Sequence, residues 1–170
     1  MTYQEWILET KWFPEANPVN PKYSSISIGS GDNGVVTVSY GITGTSGNDY
    51  SLEVVAGSGL NIAMTATITD KKITITLGTD GAGALSATKN TATLIATAVD
   101  ALNGFNAVAS GTGVTAITGA IANANFSGGQ YGTPCPEQNV LVYATPYYYL
   151  CTIAGNKDDV EWKRFTPSTY

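Results

Sequence analysis

The chain of 170 residues has no histidine and only two cysteines, and Asp, Glu, Lys and Arg together make up 12% of it. Without histidine the commonest general base is missing, so Ser-His-Asp, Cys-His and histidine-based metal arrangements are all excluded. Cys135 and Cys151 cannot complete an ordinary structural zinc site by themselves. Two readings of the pair stand side by side: buried free thiols, or a disulfide closed after release from the reducing cytosol. The eight Lys and Arg residues are scattered and the net charge is −5, which leaves no basic stripe to neutralise a run of phosphates. Nucleic acid is therefore not expected as a direct partner. No apolar run approaches the ~20 residues of a membrane span, so no membrane partner is expected either. The opening MTYQEWILETKWF lacks the charged flank, apolar stretch and small-residue cleavage site of a signal peptide, and the expectation is synthesis in the cytoplasm.

What fills the place of charge is glycine, alanine, serine and threonine. The charged fraction is about half that of ordinary soluble domains. Such a surface is neutral and rich in hydroxyls, which suits a protein packed among copies or partners better than one held apart by charge. The length allows one ordinary domain or two small ones, burying roughly 70% of the unfolded surface.

Three regions follow from the pattern. Residues 1–23 are dense in aromatics and proline, with Tyr3, Trp6, Trp12 and Phe13 followed by Pro14, Pro18 and Pro21. Proline at that spacing forbids a continuing helix and favours an extended path. The region reads as an arm whose rings must bury somewhere, on its own domain or on a neighbouring subunit.

Residues 24–130 read as an α+β core domain. SSISIG and GVVTVSY alternate as two strands around the turn-forming Asp32, Asn33 and Gly34. NDYSLEVVAG is a further strand, and IAMTATIT and KITITLG form a hairpin closed at Asp70 and Lys71. One face of that hairpin is aliphatic and the other is a ladder of threonines. After the glycine loop TDGAGALS comes a helix, with Leu94, Ile95, Ala98, Val99 and Leu102 on one stripe. Asn90 is the expected N-cap, and Asn103 with Gly104 the expected stop. The fold class is mainly β / α+β: an antiparallel sheet with one alanine-rich helix packed on it.

Residues 131–170 read as a small C-terminal β-hairpin element. It contains TPYYYLC, three consecutive tyrosines whose side chains must alternate between faces. Tyr147, Tyr149 and Cys151 share one face, and Tyr148 and Leu150 the other. Large rings on both faces mean either a satellite core needing bulk on each side, or one face awaiting a partner chain.

Candidate chemistry is sparse. Asp32, Asp49, Asp70, Asp80, Asp158 and Asp159 sit in turn-like contexts that account for them. Glu53, in mid-strand, reads as a solvated sheet position rather than a glycosidase acid. TDGAGALS lacks the lysine and spacing of a phosphate loop, and GNKDDVEW lacks the ligand spacing of a calcium loop. Pro134 and Pro136 flank Cys135, with nothing nearby to lower its pKa. No catalytic residue, metal or cofactor is expected, and the chain does not read as an enzyme.

The string GTSGNDYSLEVV, then a hairpin ending KKITITLGTDGAGALSATKNTATLIATAVDAL and closing near NFSGG, resembles a module repeated across structural proteins of tailed bacteriophages. The likeness runs from Gly44 to Gly129. The YYxC and WxxF pattern of the last residues is similar to a hairpin found at the ends of phage head and tail proteins. The resemblance implies a virion component, located in the virion and made in the host cytoplasm. Its partners would be the major capsid protein or other virion subunits, with assembly as a homo-oligomer, plausibly a trimer. The size and the aromatic arm suit a capsid decoration or head-fibre protein; a tail-fibre or baseplate adaptor, or a carbohydrate-binding module of the adsorption apparatus, is the alternative. The residues expected at a partner interface are Tyr3, Trp6, Trp12, Phe13, Tyr147, Tyr148, Tyr149, Trp162 and Phe165.

Overall fold

A computed structural model describes residues 17–135, 141–144, 147–155 and 157–166. The described residues form two compact units, one of residues 22–130 and one of residues 17–21 with 131–166. The chain is mainly β, with one short α-helix among the described residues, as the periodicities predict.

In the larger unit, β1 (Tyr23–Gly29) and β2 (Val35–Thr43) make an antiparallel hairpin, and β6 (Phe105–Ala109) pairs with the far side of β2. Alternation sends Ile28, Val36 and Val38 inward. A second sheet has the order β4-β5-β3-β7, built from β3 (Ser51–Val55), β4 (Thr65–Thr69), β5 (Lys72–Thr76) and β7 (Ile121–Asn125). The β4–β5 turn is made by Asp70 and Lys71, both with positive φ. That is the backbone a two-residue hairpin needs to match strand twist.

One pairing departs from the antiparallel expectation: β3 and β5 run parallel, with Leu52 opposite Ile73 and Val54 opposite Ile75. The segment 56–64 carries the chain past the place where β5 inserts, so the hairpin returns between β4 and β3. All four of these aliphatic side chains are buried.

Helix α1 (Ala92–Asp100) packs into the core shared by the two sheets. Its buried face is Ala92, Ile95, Ala96 and Val99, at i, i+3, i+4 and i+7. The expected stripe is rotated accordingly: Leu94 is exposed, because the small Ala92 and Ala96 let the helix approach along their side instead. The N-cap is Thr91, whose side chain accepts from the Leu94 N–H, and not Asn90. Asn90 is fully buried and does other work. Its amide accepts from Gly78 N at 2.6 Å and donates to Gly78 O at 2.9 Å, satisfying a backbone stretch that no strand partner reaches. Beside it, Lys89 Nζ donates to Asn61 Oδ1 at 2.6 Å and to Thr79 O at 2.8 Å. Together they stitch the glycine-rich loops before and after β4 and β5.

The smaller unit is a three-stranded antiparallel meander rather than a hairpin, of β8 (Leu141–Ala144), β9 (Tyr147–Ile153) and β10 (Glu161–Phe165), in that order. Residues 17–21 belong to it, while Tyr23 already opens β1. The boundary expected after residue 23 therefore lies at Pro21 and Lys22, and the end of the arm is tied down. Val19 and Thr133 exchange hydrogen bonds. The Asn20 side chain brackets Trp162, accepting from its N–H at 2.6 Å and donating to its carbonyl at 3.2 Å.

A candidate interface on the C-terminal sheet

Strand β9, YYYLCTI, is aromatic and β-branched, the composition that fits a pleated surface packed on both sides. Its register sets two faces. On the first, Val142 lies opposite Tyr149, and Cys151 opposite Trp162. These four join Cys135 and Val160 in one buried cluster. Trp162 is 5% exposed, and its indole N–H donates to Thr133 O at 2.7 Å, so the ring is both covered and hydrogen-bonded. Tyr149 is also 5% exposed. Tyr147 stands edge-on to it at 6.5 Å, and the Arg164 guanidinium lies 4.4 Å above the Tyr147 ring.

The opposite face carries two cross-strand rows. Leu141, Leu150 and Lys163 align in one; Tyr148 and Phe165 pair in the next, where the backbone of Tyr143 also falls in register. Leu141 is 60%, Phe165 47% and Tyr148 39% exposed. An aromatic pair next to an exposed leucine on one sheet face, with a lysine at its border, is the composition of an interface core with a charged rim.

The residues expected at an interface therefore separate. Tyr148 and Phe165 are presented to solvent. Tyr149 and Trp162, expected at the interface, are instead core residues of the described cluster, each 5% exposed. Tyr147 is half-buried under Arg164. Tyr3, Trp6, Trp12 and Phe13 lie outside the described residues. Leu141 and Leu150 were missed, although the alternation of Leu141 with Val142 carries the same two-faced signal as the tyrosines.

Elsewhere the chemistry is muted. Glu53 forms an ion pair with Lys72 at 2.9 Å and accepts from Thr74 Oγ1 at 3.1 Å. The Lys72 ammonium, then the Thr74 hydroxyl, hold its carboxyl below the usual range, the direction opposite to that of a general acid. A groove of about 500 Å³ beside the end of β1 is lined by small residues such as Ser30, Gly34, Thr115 and Ala120, with no ionisable side chain. Among the described residues, no group of three His, Cys, Asp or Glu side chains is placed to hold a metal ion. No helix there is long and apolar enough to cross a membrane. No protein-family model, curated protein or solved structure matches the chain.

Proposed function

We propose that this chain is a structural component of a bacteriophage virion, a capsid decoration or head-fibre protein. It binds the capsid or neighbouring subunits, copies of itself among them, through its N-terminal arm and its C-terminal sheet. The observation that carries the binding part is the exposed Tyr148–Phe165 pair with Leu141, on a unit whose core is already filled by Tyr149, Cys151 and Trp162. The hydroxyl-rich, weakly charged surface and the likeness of residues 44–129 to phage modules support the virion part. The buried, hydrogen-bonded Trp162 offers no open ring face, which disfavours a sugar-stacking groove built on it.

The test is incorporation into particles. Mass spectrometry of purified particles of a phage encoding the chain should detect it at stoichiometric amounts; its absence overturns the virion reading. Tyr148→Ala should weaken association about tenfold, the effect of losing roughly 1.4 kcal/mol at an interface, while the melting midpoint of the free protein changes little. Unchanged association would remove this face from the interface.

A further inference from the structure

Cys135 and Cys151 are both buried thiols, and they belong to the same cluster. Cys135 exchanges two backbone hydrogen bonds with Gly155, its N–H reaching Gly155 O at 3.1 Å and its carbonyl accepting from Gly155 N at 3.0 Å. That bridge folds the segment 133–135 against the end of β9. Cys151 Sγ donates to Ile153 O at 3.3 Å, two residues before the Gly155 that holds Cys135. Both thiols are thus packed in one cluster, with Cys135 held by the backbone of Gly155 and Cys151 by its place in β9.

We infer that Cys135 and Cys151 are a covalent latch: an intramolecular disulfide that closes when the protein meets an oxidising small-molecule disulfide outside the reducing cytosol. One cysteine thiolate attacks the disulfide, giving a mixed disulfide and one released thiol. The second cysteine then displaces the remaining thiol. Two protein thiols are oxidised, one small disulfide is reduced to two thiols, and the two cysteine protons end on those thiols. The bond closes a loop containing all of β8 and most of β9, and it fastens the strap beside Trp162 to the sheet. The inference stands on the thiol pair alone and does not depend on the virion reading.

The same burial keeps Cys151, which must act as nucleophile in one of the two exchange steps, quiet. Burial first, then the hydrogen bond with Cys135, pushes the Cys151 thiol up to about 12, so little thiolate exists at neutral pH. Since the thiolate is the nucleophile, closure is slow and waits on local opening or on alkaline pH.

The experiment treats the full reduced chain with oxidised glutathione at pH 7 and pH 9. The expected result is loss of both free thiols without lasting adduct, a peptide map joining Cys135 to Cys151 within one chain, and faster closure at pH 9. The melting midpoint of the 131–166 region should rise on the order of 10 °C, from the entropy removed by a loop of this length in a small unit. Cys135→Ala should show no such rise. A persistent glutathione adduct, a bond between chains, or thiols that stay free through complete unfolding and refolding in the oxidant would each overturn the latch.

Discussion

The two units of this chain solve the same problem with different side chains. Residues 22–130 bury fifteen hydrophobic residues in one cluster, nearly all aliphatic or alanine, between two sheets and a helix; the described part of the C-terminal unit buries six, among them a tryptophan, a tyrosine and two cysteines. Small units have too little volume relative to surface to hold together with aliphatics alone. The smaller one compensates with rings that cover a large area per residue, and with thiols that fill the space between them. The lesson is that aromatic density here marks two separate needs. Tyr149 and Trp162 meet the need for a core, and Tyr148 and Phe165 stand 39% and 47% exposed on the face proposed to meet a partner.

The largest expected effect sharpens that contrast. Ile75→Ala and Trp162→Ala each remove a buried side chain, at about 2–5 and 3–5 kcal/mol respectively. The larger unit should keep its fold with a lowered midpoint, because fourteen other buried hydrophobics remain around the cavity. The smaller unit should lose its fold, since Trp162 is the largest side chain in its described core and Thr133 O would lose its donor. Segment-resolved hydrogen exchange distinguishes the two. Retained protection of β9 and β10 in Trp162→Ala would show that the small core is better supported than its size implies.

Next in size is a polar change inside the larger unit. Asn90→Ala would leave the Gly78 N–H without its acceptor, while Gly78 O would keep the Ser86 N–H, which donates to it at 2.9 Å. An orphaned buried group costs about 1–3 kcal/mol, and a loss of that size is expected in denaturant unfolding. A loss below about 1 kcal/mol would mean that water replaces the amide, and that the stitching of the two loops is incidental.

How much of this was legible in the sequence depends on the range of the interaction. The β4–β5 hairpin was, because the flanking alternation is strict and Asp70 is a turn former that visits positive φ. The two-faced tyrosine strand was too, since a period of two requires it. Alternation does not say which face meets a core, and so Tyr149 and Tyr148 could not be told apart. The parallel pairing of β3 with β5 joins strands that are not consecutive, and nothing local announces it. The bracket of Asn20 on Trp162 spans 142 residues, which no spacing rule reaches. β8 was passed over because four residues give little periodicity. At the start of α1 the error was a single position: Asn90 and Thr91 are both good caps by type, and only the buried Gly78 backbone decides between them.

That last choice gives the smallest effect and the finest test. Thr91 accepts from Leu94 N–H at 3.4 Å, a long bond at a half-exposed helix end where water can substitute. Thr91→Ala should therefore cost about 0.5–1 kcal/mol, the lower part of the range for a lost N-cap. Thr91→Ser keeps the oxygen and should be close to neutral. Both are measured as shifts of the same denaturant midpoint used for Asn90→Ala. If Thr91→Ala proved more damaging than Asn90→Ala, the ranking would reverse: the helix cap would matter more than the buried amide, and the loops around Gly78 would hold by their backbone and Lys89 alone. The expected order, with Asn90 well above Thr91, follows from burial. A hydrogen bond at the rim competes with solvent, whereas one at the centre replaces it.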